Sequence, residues 1–209
     1  MKRHLRIPLF LLISLLNSLA SYASNEMSFH QLGVKTGMSD NYIQAIERDK
    51  YGFMWFATRD GLNRYDGYHF KTYTTLRQGA YNNSVEWVAE DAAGNIWIKT
   101  PVNYCFYDRE MDELDNRTEI ILHKIGIFES PRQLFIDDDK NLWCVADNTL
   151  YYYIFSDETL YKQSLPGSVN IADMACRNKR CYILMTDGNV INIDWMHKSI
   201  TKLFHTEIH

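Results

Sequence analysis

Apolar residues in this 209-residue chain fall into short runs separated by turn residues, with one longer run near the start. That run, Ile7 to Leu16, is almost wholly apolar and follows the basic residues Lys2, Arg3 and Arg6. Ser21-Tyr22-Ala23 then fits the small-x-small rule of signal peptidase. Basic start, apolar run and small-residue site predict a secretory signal peptide over residues 1–23, cleaved before Ser24. The run falls short of the ~20 residues that span a bilayer comfortably, and no Cys follows it to carry a lipid. Beyond it the apolar runs have strand length: Phe53 to Ala57, Ile96 to Ile98 and Leu142 to Val145. Continuous runs, rather than alternation of apolar with polar, are expected of strands covered on both faces.

These runs repeat. Asp49-Lys50-Tyr51-Gly52-Phe53-Met54-Trp55 recurs as Asp91 to Trp97, with Gly94, and as Asp137 to Trp143, with Lys140 in place of the glycine. The tryptophans stand 42 and 46 residues apart, the period of a four-stranded propeller blade. A short apolar strand precedes each Asp, and an aromatic strand follows each Trp by about ten residues: Arg64-Tyr65-Asp66, Phe106-Tyr107-Asp108 and Tyr152-Tyr153-Ile154. A degraded fourth copy runs from Ile171 to Leu203, with Tyr182 for the Trp and Cys176 at the Asp position. The fold class predicted is all-β. It is a partial β-propeller of about four antiparallel four-stranded blades, spanning about 29–76, 82–123, 131–165 and 169–209 of a mature region 24–209.

Within each copy the Asp is expected to accept backbone N–H bonds from the hairpin turn. The Gly is expected to supply the positive φ the turn requires. Lys140 implies a different turn in the third copy, or Asn141 in the left-handed position. The Trp is expected to pack against a neighbouring blade, because repetition at a fixed offset marks architecture. Asp49, Gly52, Trp55, Gly61, Tyr65, Asp66, Gly67, Asp91, Gly94, Trp97, Asp137 and Trp143 are therefore structural positions.

Composition adds direction. Hydrophobic residues make up 46% and aromatics 14%, so the chain can bury a core. Removing Lys2, Arg3 and Arg6 leaves 19 basic against 26 acidic residues, which argues against a nucleic-acid partner. No cofactor is called for. No His pair has metal-ligand spacing, and Asp137-Asp138-Asp139 lacks the alternation of a calcium loop, so no metal site is expected. Cys176 and Cys181 flank a turn, Arg177 to Arg180, and are the candidate pair for a disulfide across it. Cys105 and Cys144 fall in strands of different copies and read as buried thiols. Asp40, Asn41, Asn82 and Asn83 precede the innermost strands of the first two blades, where propeller mouths hold ligands, and are the candidate contacts. Trp87 and Tyr151 to Tyr153 could stack on sugar rings, although strand tyrosines more often pack between sheets.

Residues Gly52 to Gly67 closely resemble the two-component regulator propeller repeat, and Gly37 to Ile43 resemble that family's entry into a first blade. The resemblance covers roughly Phe29 to Leu203 and is strongest in the first copy. It departs at Ala57, where the family commonly has Gly, and at Lys99-Thr100-Pro101 in the second copy. It implies the periplasmic sensor region of a hybrid two-component system of gut Bacteroidetes, anchored in the inner membrane at full length. The implied ligand is an oligosaccharide from glycan breakdown. The implied partners are further blades and a histidine kinase that this chain lacks, so the chain itself is expected not to be an enzyme and to be part of a longer sensor. A homodimer is a further candidate partner. The competing readings are a secreted propeller enzyme of lyase or glycosidase type and a non-catalytic secreted scaffold.

Overall fold

The structure, a computed structural model, describes residues 29–74, 83–166, 170–197 and 199–205. The expected signal peptide lies outside these residues. The chain divides into two compact units, Met1–Leu32 and Gly33–His209. Of the first, only Phe29 to Leu32 are described, and they form no regular element.

The second unit is four antiparallel meanders of four strands each. The first holds β1 (Ile43–Arg48), β2 (Met54–Thr58), β3 (Gly61–Tyr65) and β4 (Phe70–Tyr73), and the second β5 (Trp87–Glu90), β6 (Ile96–Lys99), β7 (Tyr104–Asp108) and β8 (Glu113–Asp115). The third holds β9 (Pro131–Ile136), β10 (Leu142–Ala146), β11 (Thr149–Ile154) and β12 (Thr159–Ser164), and the fourth β13 (Ile171–Arg177), β14 (Arg180–Met185), β15 (Asn189–Asp194) and β16 (Ser199–His205). These are the four blades expected. A short helix, α1 (Glu119–Leu122), and a 3-10 turn (His123–Ile125) join blades 2 and 3. Ile121, Leu122 and Ile127 from this connection enter the core between those blades.

In the first three blades the Asp and the Trp of the repeat are joined directly, a latch that spacing alone did not reveal. The indole N–H of Trp55 donates to Asp49 Oδ2 at 2.9 Å. Trp97 donates to Asp91 and Trp143 to Asp137, both at 2.8 Å. The other carboxylate oxygen accepts turn N–H groups: Tyr51 and Phe53 on Asp49, Asn95 on Asp91, Asp139 and Asn141 on Asp137. The six-residue interval is thus the reach of one side-chain hydrogen bond across a hairpin. All three tryptophans are fully buried, so each donor would otherwise be stranded away from water. Burial pushes the Asp137 carboxyl up, against the hydrogen bonds from Trp143 and Asn141.

The expectation for Lys140 is corrected. The third turn is the same as the first two: Lys140 N–H donates to the Asp137 carbonyl at 2.9 Å, as Gly52 does to Asp49 and Gly94 to Asp91. Lys140 itself takes the left-handed position, with φ 63°, where Gly52 and Gly94 have 92° and 91°. A side chain there costs about 1–2 kcal/mol. Two contacts offset it: the Lys140 carbonyl accepts the Ala92 N–H at 2.9 Å, and its ammonium pairs with Glu47 of β1.

The fourth copy also needs correction. Its hairpin turn has two residues, Asn178 and Lys179, at φ 51° and 59°, whereas the others have three. Pairing of Ala175 with Tyr182 matches that of Glu47 with Trp55 and Phe135 with Trp143. Counting from that pair, Arg177 stands at the Asp position and Cys176 one residue before it. The sequence count missed the shorter turn.

Three buried clusters fill the three spaces between successive blades. Trp55 faces blade 2, Trp97 faces blade 3 and Trp143 faces blade 4. Tyr182 takes the same position in blade 4 and is 40% exposed. Among the described residues no buried cluster joins blade 4 to blade 1. The free face of blade 1 is instead overlaid by the segment before β1. Met38 is buried there, Ser39 N–H donates to Asn63 Oδ1 at 2.9 Å, and the Ser39 and Thr58 hydroxyls lie 3.1 Å apart. Gly61 turns β2 into β3 at φ 115°, and a Cβ there would lie 2.8 Å from the Tyr73 carbonyl. Tyr65, Asp66 and Gly67 shape the β3–β4 turn, where Asp66 accepts the Tyr68 and His69 N–H groups and Tyr65 Oη donates to the Gly67 carbonyl.

Blades 1 and 2 are also tied at their outer strands. Asp112 Oδ1 accepts the hydroxyls of Tyr73 at 2.6 Å and Tyr107 at 2.7 Å, Arg64 donates to Tyr107 Oη at 2.6 Å, and Lys71 pairs with Asp112. Burial alone would raise the Asp112 carboxyl. The hydrogen bonds from Lys71, Tyr73 and Tyr107 and the Arg64 charge outweigh it and hold the group well below the usual carboxylate range. A carboxyl depressed on folding stabilises fully above its unfolded value of about 3.9, and that contribution fades as pH falls through the lower folded value. The melting temperature of the natural chain should therefore fall more steeply between about pH 4 and pH 2 than that of Asp112→Asn. Parallel slopes in a pH series of thermal melts would remove Asp112 from this role.

Candidate functional site

In each meander the β1–β2 type and β3–β4 type turns lie at one end, and the connections from blade to blade lie at the other. The second end is the mouth, and the candidate contacts belong to it. The structure gives most of them local work. Asp40 Oδ1 accepts the Tyr42 N–H at 3.1 Å, and Asn41 Oδ1 accepts the Val34 N–H at 2.9 Å. Both fasten the segment that overlays blade 1. Asn83 Nδ2 donates to Asp60 at 2.9 Å, while its Oδ1 is buried without a partner among the described residues. Asn82 lies outside the described residues.

Beside these residues the inner strands are bridged. Gln44 Nε2 of β1 donates to the Val85 carbonyl at 2.9 Å and to Ser84 Oγ at 3.1 Å. Val85 N–H donates to the Thr58 carbonyl at 2.9 Å. These bonds set the path of the chain into β5 and hence the position of Trp87.

Trp87 lines a groove of about 270 Å³ shared by blades 2, 3 and 4, with Lys99, Tyr104, Gln133, Phe135 and Asp173. Trp87 and Phe135 lie with ring centroids 6.4 Å apart and planes 22° apart. Tyr104 Oη accepts the Leu134 N–H and donates to Gln133 Oε1, both at 3.1 Å. Burial pushes its phenol up to about 12, so it stays a neutral donor at physiological pH. Lys99 is ion-paired with Glu86 at 3.4 Å. The groove thus offers an aromatic surface, an amide, an ammonium and the exposed Asp173 carboxylate. Such a set can stack on and hydrogen-bond a polar, ring-shaped ligand.

Sequence reasoning singled out Trp87 but not Tyr104, Gln133, Phe135 or Asp173. Gln133 and Asp173 stand at the repeat position of Trp87, each pairing with the residue two beyond the Trp or Tyr182 of its own blade (Trp87 with Lys99, Gln133 with Val145, Asp173 with Leu184), and that shared offset could have found them; Tyr104 and Phe135 stand at other offsets. Tyr151, Tyr152 and Tyr153 are buried between blades, which makes them core residues. Two larger clefts, each about 520 Å³, lie at the opposite end. One is walled by turn residues including Asp139, Asn141, Ser156, Asp157 and Lys179. Among the described residues no group of three or more His, Cys, Asp or Glu is arranged to hold a metal ion, and no helix is long and apolar enough to cross a membrane.

Comparison with known proteins places the first blade. Residues 37–60 match the model of the two component regulator propeller. A histidine kinase of Formosa agariphila is 51% identical over 37 residues, which are 18% of this chain and 3% of that protein. The crystal structure of the extracellular domain of a hybrid two component system from B. thetaiotaomicron superposes with a TM-score of 0.56 at 23% identity. The match covers 84% of this chain and 26% of that one, a likeness of fold. A second such domain from the same organism gives 0.47 at 18% identity, over 86% of this chain and 32% of that one. The chain thus spans a small part of the proteins it resembles. Residues 37–60 thus match a two component regulator propeller repeat, and the four meanders share the fold of the extracellular domain of that hybrid two component system.

Proposed function

We propose that this chain is the extracytoplasmic ligand-sensing propeller of a two-component sensor, exported by residues 1–23 to the periplasm and working through a histidine kinase. The observation that carries the reading is the repeat match at residues 37–60. The ligand class is an oligosaccharide released by glycan breakdown, held at the mouth groove. What supports that class is the pairing of the Trp87 and Phe135 rings with the amide of Gln133 and the charges of Lys99 and Asp173. The chain binds and does not turn over.

Calorimetric titration against a panel of oligosaccharides tests this. The expected result is binding without product formation, weakened about tenfold in Trp87→Ala by loss of ring stacking. Product released from any polysaccharide favours a propeller enzyme instead. Binding that survives Trp87→Ala unchanged moves the ligand away from this groove.

A further inference from the structure

Blade 4 lacks the latch that closes the other three hairpins. Arg177 stands where an Asp accepts the indole N–H, and Tyr182 stands where the Trp donates it. At the same hairpin Cys176 and Cys181 are direct cross-strand partners. They lie one pair in from the two-residue turn. In an antiparallel ladder that position is a non-hydrogen-bonded pair, where Cα atoms stand about 4.5 Å apart and facing side chains are closest. This separation falls within the range a disulfide spans. The two sulfurs lie 2.7 Å apart, and both side chains turn into the core shared with blade 3, beside Trp143, Met174 and Ile183.

We propose that Cys176 and Cys181 form an oxidation site whose disulfide staples the blade 4 hairpin in place of the missing latch. The oxidant is a disulfide-bearing thiol compound or protein. One cysteine thiolate attacks a sulfur of that disulfide and expels one thiolate, giving a mixed disulfide. The second cysteine thiolate attacks the sulfur of the first and expels the other. The pair loses two protons and two electrons, and the oxidant becomes two thiols. The other cysteines are not rivals for the bond. Cys105 is sealed between blades 1 and 2 and Cys144 between blades 2 and 3. Burial pushes both thiols up to about 12. Burial also pushes the Cys176 thiol well above the ordinary range, with Cys181 adding to the shift. The exchange therefore proceeds while the hairpin is open, before blade 3 covers it.

The full chain is refolded in oxidised and reduced glutathione, quenched in acid, denatured, alkylated and digested with trypsin. Cleavage after Arg177 and Arg180 separates the two cysteines, so the bond appears as two peptides joined through sulfur. The expected result is that joined pair, with Cys105 and Cys144 alkylated. Four alkylated cysteines in excess oxidised glutathione, or a bond to Cys105 or Cys144, overturns the proposal. The staple role has its own readout. Reduction should lower the melting temperature of the oxidised chain by about 4–8 °C and leave Cys176→Ala/Cys181→Ala unmoved. A joined pair whose reduction leaves the melt unchanged overturns that role.

Discussion

Trp97→Ala is expected to destabilise the chain by about 3–5 kcal/mol and to split its thermal transition in two. Trp97 is fully buried and reaches into the cluster that joins blades 2 and 3, where it packs among Leu134, Leu142 and Tyr153. Stacked repeats hold together by their own stability plus nearest-neighbour interfaces. Emptying one interface therefore uncouples the blades on its two sides. Calorimetry should resolve a transition for blades 1 and 2 below or above that for blades 3 and 4. A single sharp transition, shifted down as a whole, would show that coupling does not run through the Trp faces.

Asp91→Ala should lower stability by about 3 kcal/mol. The substitution strands three donors: the indole N–H of Trp97, the Asn95 backbone N–H and the Asn95 side-chain amide, now held at 2.8, 2.9 and 2.8 Å. Asp91 is itself buried, so water does not readily replace it. Trp97→Phe keeps most of the packing and removes one donor, and should be the milder change. Its combination with Asp91→Ala in a double-mutant cycle should return a coupling of about 1–2 kcal/mol. Additivity of the two changes in chemical denaturation would mean that the six-residue spacing reflects hairpin geometry alone.

The blade count, the strand order and the burial of the tryptophans were legible in the sequence because they depend on local spacing. Asp49 and Trp55 are close enough in the chain to write their relation into a pattern. Three things were not legible, each for a physical reason. Lys140 looked incompatible with a glycine slot, because tertiary contacts from Ala92 and Glu47 offset its backbone conformation. The residue count misplaced Cys176 because a turn shortened by one residue shifts every later offset. The groove at Trp87 draws on β5, β6, β7, β9 and β13; Trp87, Gln133 and Asp173 share one repeat position, but three unlike side chains there make no motif, and Tyr104 joins them only in space. Of the four predicted contacts, Asp40 and Asn41 hold their own segment, which is what Asx residues before a strand commonly do.

The direction in which each tryptophan points gives the stack a polarity. Blades 1, 2 and 3 each present a Trp to the following blade, and blades 2, 3 and 4 each receive one on the other side. The two faces of a blade are therefore different surfaces, and two such faces meeting would do so head to tail. Contacts of that kind propagate into open filaments unless the rotation closes. The Tyr182 side is the exposed end, while Met38 and Ser39 occupy the opposite one. A surface approaching blade 1 from that side therefore meets the entry segment, Gly33 to Tyr42, rather than a bare sheet face.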